Sequence, residues 1–222
     1  GSGLGGLTSA AALSKMGHKV VLLEQYKTLG GLTHSCSREG FSWDVGIHYL
    51  GCMAPDDRER GMLDWLPHTP MEFESMGAVY DNLHLADAPP LALSRPFEAQ
   101  ERDLKDRFPD EAEAIEEWTA ALREGRKTMY TVASTRAMPD FVGQMFDWWN
   151  QRAIDKWCKR TTQEVVDSIT QNPDLAAAFT AQWGDHGGRP HKASFAMHAL
   201  ILGCYLESGA WYPVGGGKAF AE

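Results

Sequence analysis

The chain opens on glycines set at the spacing GxGxxG: Gly1, Gly3 and Gly6, in the run GSGLGG. In such a loop the first glycine permits the tight turn, the second lets backbone approach a pyrophosphate, and the third lets helix and strand pack closely. Ser2 lies inside the same turn. The residues that follow predict a helix with Leu7, Ala10, Leu13 and Met16 on one face and Gly17 as its left-handed C-terminal cap. Its N-terminus would face the anion. Lys19 to Glu24 (KVVLLE) reads as a short apolar strand ending on an acid 18 residues after Gly6, where a carboxylate can accept both hydrogen bonds of an adenosine ribose. The glycine spacing alone is a weak signal. With helix, strand and Glu24 in register it predicts a dinucleotide-binding αβ unit, against the plainer reading in which the glycines only make turns.

Gly30 and Gly31 stand six and seven residues beyond Glu24 and extend the pattern to ExxxxxGG. The extended pattern resembles the FAD-binding signature of the amine oxidase and phytoene desaturase superfamily, in which the second glycine turn also runs close to the cofactor. The resemblance implies FAD rather than NAD. A dinucleotide loop is fed by a strand, yet Gly1 is itself the first glycine of the loop, and AFAE at the other end reads as the opening of a helix. The sequence is therefore expected to be a fragment of a longer polypeptide, without its first strand and its C-terminal part.

Charge and composition narrow the class. A net charge of −9, with no basic stripe, argues against a nucleic-acid surface. Apolar residues make up 43% of the chain, enough for a core. Cys36, Cys52, Cys158 and Cys204 are scattered and form no CxxC, so neither a zinc site nor a disulfide framework is expected, and a reducing compartment, cytoplasmic or peripheral to a membrane, fits best. The longest nearly apolar run, Ala193 to Leu206, falls short of the roughly 20 residues of a membrane span and reads as a buried helix.

After Gly31, Arg38-Glu39-Gly40 predicts a turn between two short strands, and a helix is expected from Pro55–Asp56 to Leu66. Residues 1–70 would be the N-terminal part of the cofactor domain. From Met71 to Leu93 the pattern turns to short strands, with Asp81-Asn82 as a turn and Pro89-Pro90 as a break, so 71–95 is expected to be the sheet of a substrate domain. Residues 96–192 read as helices: Ile115, Trp118, Leu122 and Met129 line one face, Pro139 opens PDFVGQMFDWWN, Thr161 to Glu164 form a capping box, and Asn172-Pro173-Asp174 starts another helix. Residues 193–222 would return towards the cofactor domain.

The stretch FSWDVGIHYLG (Phe41 to Gly51), together with GDHGG and GAWYPVGGG about 140 and 160 residues further on, resembles the retinol saturase, carotenoid isomerase and phytoene desaturase family of FAD-dependent oxidoreductases. Leu32, Thr33 and His34 follow the double glycine as in the saturase branch, where amine oxidases commonly carry Arg. Trp43 departs from the smaller or Phe-like residue frequent in the family. The resemblance implies an α/β fold, a partial Rossmann-like FAD domain carrying an inserted, mostly helical α+β substrate domain, and chemistry on a carbon–carbon double bond of a carotenoid- or retinoid-like isoprenoid. It does not choose among saturase, desaturase and isomerase. It further implies that Gly1, Ser2, Gly3, Gly6, Glu24, Gly30, Gly31, Gly46 and His48 meet the cofactor, and that a hydrophobic polyene is the substrate, with an unknown electron donor or acceptor.

His48 is the candidate for proton supply, because an unperturbed imidazole titrates near neutrality; a histidine bonding backbone beside the cofactor is the competing role. Trp211 and Tyr212 either bound the substrate cavity or pack against glycines. Asp44 is expected to bond the backbone of the glycine turns. His186 and His191 lack further ligands at metal spacing, and His198, in an apolar run, is expected to be a satisfied core histidine. The methionines and aromatics of Thr128 to Asn150 either form core or meet a membrane surface. A flavin amine oxidase and a non-catalytic FAD-binding protein are the alternative readings.

Overall fold

A computed structural model describes residues 1–85 and 88–221 and divides into two compact units, Gly1–Gly77 with Ser208–Glu222 and Ala78–Glu207. In the first unit, helix α1 (Leu4–Lys15) follows the glycine loop; Met16 closes it and Gly17 takes the left-handed conformation (φ 86°) that only glycine adopts freely. Strands β1 (Ser35–Arg38) and β2 (Phe41–Asp44) form the expected hairpin, whose two-residue turn Glu39-Gly40 has both φ angles positive, the twist that matches antiparallel strands. After β3 (Leu50–Gly51) comes α2 (Arg58–Trp65), and then β4 (Phe73–Ser75). The unit is completed from the far end of the chain by β7 (Ala210–Pro213), which lies between β3 and β4 in an antiparallel sheet.

Between them the second unit runs β5 (Val79–Leu83), β6 (Leu91–Ser94), α3 (Phe97–Arg107), α4 (Ala112–Thr135), α5 (Asp140–Trp149), the single turn α6 (Gln151–Ala153) leading into a π turn, α7 (Thr162–Ile169), α8 (Pro173–Thr180) and α9 (Phe195–Ser208). Ile115, Trp118 and Leu122 on α4 are buried against Val165, Val166, Leu175, Phe179, Phe195 and Ala199. Trp118 stacks on Phe179 with centroids 4.4 Å apart. A Cβ at Gly125 would lie 2.9 Å from the Ala199 methyl, so glycine there sets how closely α4 and α9 cross. Thr161 and Glu164 form a reciprocal capping box, and Asn172 caps α8.

Several expectations change. Lys19–Glu24 is not a strand: a strand exists only as part of a ladder, and none of the described residues pairs with this segment. Val21 and Leu23 are accordingly 82% and 77% exposed, and no residue of α1 is buried. Asp81-Asn82 is not a turn but lies within β5, after a register shift between Val79 and Asp81. Residues 71–95 do not make one sheet, since β4 joins β7 while β5 and β6 pair with each other. Cys36 and Cys158 are free thiols, whereas Cys52 and Cys204 are disulfide-bonded, which corrects the expectation of a chain without disulfides; spacing carries no information about pairing.

Candidate functional site

Ser2 is the hub of the glycine loop. It is fully buried: its carbonyl and its Oγ both accept the Gly30 amide at 3.1 Å, while its own amide and Oγ donate to Glu24 Oε2 at 2.6 and 2.7 Å. Glu24 Oε1 accepts the Tyr26 amide at 2.8 Å. The backbone donor of Ser2, then that of Tyr26 and the Ser2 hydroxyl hold the Glu24 carboxyl down at about 2, so it is an anion throughout the physiological range. Glu24 thus stands at the mouth of the turn, with its oxygens already engaged by the chain's own donors.

The two glycine turns are in direct contact. Gly3 and Gly30 form a parallel bridge, and a Cβ on Gly31 (φ 57°) would come within 2.7 Å of Gly3 Cα. A Cβ on Gly6 would strike the Gly1 carbonyl oxygen at 2.0 Å, so Gly6 is required by packing within the loop. Gly3 is different: its φ is −65°, and a Cβ there meets nothing within 4 Å. Neither conformation nor packing requires glycine at that position, and what its missing side chain leaves is open room over the helix N-terminus. The first helical bond runs from Leu7 N–H to Gly3 O, so the amides of Leu4, Gly5 and Gly6 precede the ladder, with no side-chain cap and no acid in the first turn. This cradle fits a dinucleotide pyrophosphate.

Asp44 fastens the hairpin to the returning chain. It accepts the Ser35 and Tyr212 hydroxyls and the Gly217 amide, the last at 2.7 Å. Burial alone would raise its pKa, but those three donors outweigh it and hold the carboxyl below its ordinary value. The same contact pushes the Tyr212 phenol up to about 12. Gly46 lies where a Cβ would sit 2.9 Å from the Leu32 carbonyl oxygen, which keeps the hairpin exit against the turn that follows Gly31.

His48 and Tyr212 line one open cleft of about 650 Å³ with Glu74, Ser75, Met76 and Val214. Register explains the pairing, since Tyr212 lies opposite Glu74 across β4 and β7. Trp211, one residue away, is not part of that lining; its indole donates to the Ser208 carbonyl at 3.0 Å. Glu74, Ser75, Met76 and Val214 were not singled out from sequence, because only a pairing across more than a hundred residues brings β4 beside β7.

In the second unit the Gly188 amide donates to His186 Nδ1, and His186 Nε2 lies 3.0 Å from His198 Nδ1, whose Nε2 is 2.9 Å from the Phe179 carbonyl. The amide fixes His186 as the Nε2–H tautomer and, through it, His198 as an Nε2–H donor to the carbonyl. Burial holds both pKa values down, that of His198 to about 4. His198 is the satisfied core histidine that its apolar run predicts. Among the described residues no group of three His, Cys, Asp or Glu could hold a metal ion, and no helix is long and apolar enough to cross a membrane.

Residues 1–66 match the family profile described as an NAD(P)-binding Rossmann-like domain. The whole chain aligns at 31% identity with all-trans-retinol 13,14-reductase from Danio rerio, covering 37% of that protein. Across 97% of its length it is 28% identical to a second Danio rerio protein, named inactive all-trans-retinol 13,14-reductase, covering 36% of it. At 22% identity all of it aligns with a carotenoid 3,4-desaturase from Haloarcula japonica, covering 45% of that protein. The chain thus spans less than half the length of these relatives. It carries a Rossmann-like dinucleotide-binding segment and, along essentially its whole length, is a homologue of proteins named all-trans-retinol 13,14-reductase, with carotenoid desaturases as more distant relatives.

Proposed function

We propose that this chain is part of an FAD-dependent oxidoreductase acting on a carbon–carbon double bond of a carotenoid- or retinoid-like isoprenoid. The observation that carries FAD is the seating of the second glycine turn on the first, through Gly30 N–H to Ser2 and the close approach of Gly31 to Gly3. The substrate class comes from the names of the relatives, which align with all or nearly all of the chain. The free amides at the start of α1, beside Gly3 and Gly6, would hold the pyrophosphate, while Gly1 and the buried Ser2 would shape the turn around it. Glu24 would take the ribose diol by exchanging its bond to the Ser2 hydroxyl for one to the sugar, because a carboxylate offers about four acceptor positions and three are in use.

A bound flavin supplies hydride chemistry. What the chain itself contributes is position and a proton. The Asp44 carboxylate, held ionised by its three donors, fixes β2 to the loop after β7. His48, in the open cleft, would give the proton to the carbon next to the one that takes a hydride. A hydrophobic polyene is the expected partner, with the electron donor or acceptor supplied by another molecule.

The test uses the intact polypeptide reconstituted with FAD, bleached anaerobically with dithionite and mixed with a retinoid or carotenoid. Recovery of oxidised flavin with consumption of the polyene supports the reading; a yellow protein inert to every polyene refutes it. That second result would favour a chain that keeps the cofactor without the reaction, a reading to which the relative named inactive gives weight. Flavin amine oxidase chemistry is disfavoured by Leu32, which stands where those enzymes commonly have Arg.

A further inference from the structure

Helix α4 presents two faces. It turns Ile115, Trp118 and Leu122 to the core, and beside them Glu117, Ala120, Ala121 and Glu124 follow at helical spacing and form one row. The two alanines leave the middle of that row hollow. The π turn Ile154–Cys158 and α7 close the other sides; Lys159 N–H bonds to Ile154 O across five residues, one more than an α-helix spans. Between them lies a cleft of about 120 Å³, lined at its buried side by Ala121, Trp157 and Val165. An apolar cavity of about 150 Å³ holds one benzene, so the space suits a body of a few carbons.

Four charges ring this cleft, two of each sign, and they are not equally spent. Lys156 lies over the Trp157 ring at 4.1 Å and pairs with Glu124 at 3.3 Å. Glu117 makes no hydrogen bond or ion pair among the described residues. Arg160 makes no ion pair among them either, yet it is held still. Its Nη2 donates to the Glu164 carbonyl at 2.6 Å and to Ser168 Oγ at 2.9 Å, and its own carbonyl accepts the Phe195 amide at 3.0 Å. The Glu164 carboxylate feels that cation but is engaged by the Thr161 amide at 2.7 Å. A guanidinium ordered by neutral acceptors keeps its remaining N–H groups for a ligand and has already lost its rotamer freedom. A multiply charged anion is opposed by the two acids on the rim. A small molecule with one carboxylate and one ammonium matches both unspent charges.

We propose that this cleft between α4, the π turn and α7 binds a small zwitterion with an apolar body, of the α-amino acid class. Its carboxylate lies on Arg160, its ammonium on Glu117 and its side chain over Ala121 and Val165. The test is calorimetric titration of the intact polypeptide with L-leucine, and with isocaproate and isoamylamine, which lack its ammonium and its carboxylate in turn. Leucine should bind saturably, raise the melting temperature by mass action, and bind about tenfold tighter than either analogue. Glu117→Gln removes only a charge that has no partner among the described residues, so without ligand it should melt like wild type. It should lower leucine affinity about tenfold while leaving isocaproate unchanged. Arg160→Gln should weaken leucine and isocaproate together. No saturable binding of leucine, or leucine affinity unchanged in Glu117→Gln, overturns the proposal. Isocaproate as tight as leucine overturns it in favour of a plain carboxylate, and inorganic phosphate tighter than leucine overturns it in favour of an anion site.

Discussion

Replacing Asp44 with Asn tests how the first unit is held together. The amide has the shape of the carboxylate but neither its charge nor its full set of acceptors. Gly217 N–H can only donate, so the variant must turn Oδ1 towards it and present Nδ2 elsewhere. The Ser35 and Tyr212 hydroxyls can rotate to accept, so every contact survives as a neutral one. The loss is charge assistance in three bonds, offset by the desolvation that burial costs the carboxylate, or about 1 kcal/mol in all. Denaturant unfolding of the intact polypeptide at pH 7 reads this as a lower midpoint at unchanged slope.

The pH dependence has a definite sign. The folded Asp44 pKa lies below its ordinary 3.8, so its contribution is complete above that value and is lost as pH falls through the lower, folded one. The gap between wild type and Asn variant should therefore be constant near neutrality and close in acid below pH 3.8. A gap under about 0.5 kcal/mol at pH 7, or one that does not narrow in acid, would refute the account of Asp44 as an ionised fastening.

Gly31→Ala places a methyl 2.7 Å from Gly3 Cα at positive φ, and should cost about 2 kcal/mol or more in unfolding experiments while abolishing cofactor uptake. Gly3→Ala meets nothing in the chain, so it should leave the melting temperature nearly unchanged yet weaken dinucleotide binding by about tenfold or more, measured by titration. His198 is neutral in the fold, with its pKa lowered from 6.5 to about 4, so the protein should lose about 3 kcal/mol as pH falls across that window; His198→Gln should flatten this part of the stability profile. His48→Gln should slow polyene reduction at unchanged flavin content, and turnover identical to wild type removes His48 from proton delivery.

Local chemistry was legible in the sequence where a motif acts on its neighbours. The capping box at Thr161, the Asn172 cap, the Glu39-Gly40 turn and the buried stripe of α4 follow from spacing alone, because each is decided within a few residues. The resemblance implied that Gly30–Gly31 runs close to the cofactor; its contact with the first glycine turn is a finding of the fold. The cleft was not legible in full. His48 and Tyr212 were candidates, but Glu74 and Met76 join them only because β7 inserts between β3 and β4 from the far end of the chain. The strand expected over 19–24 failed for a related reason: apolar sequence marks a segment that can join a ladder, and only a partner makes it a strand. What α5 meets stayed open in the sequence, because periodicity identifies an apolar face without saying what covers it.

The most direct measurement is the flavin content of the intact polypeptide after reconstitution, alongside its Gly3→Ala and Glu24→Gln variants. Stoichiometric FAD in the wild type, with uptake reduced in both variants and folding preserved, is the expected result. Wild-type protein that takes up no FAD at micromolar concentration, or that binds it equally well without the Glu24 carboxylate, would contradict the claim that the paired glycine turns and Glu24 form the cofactor cradle.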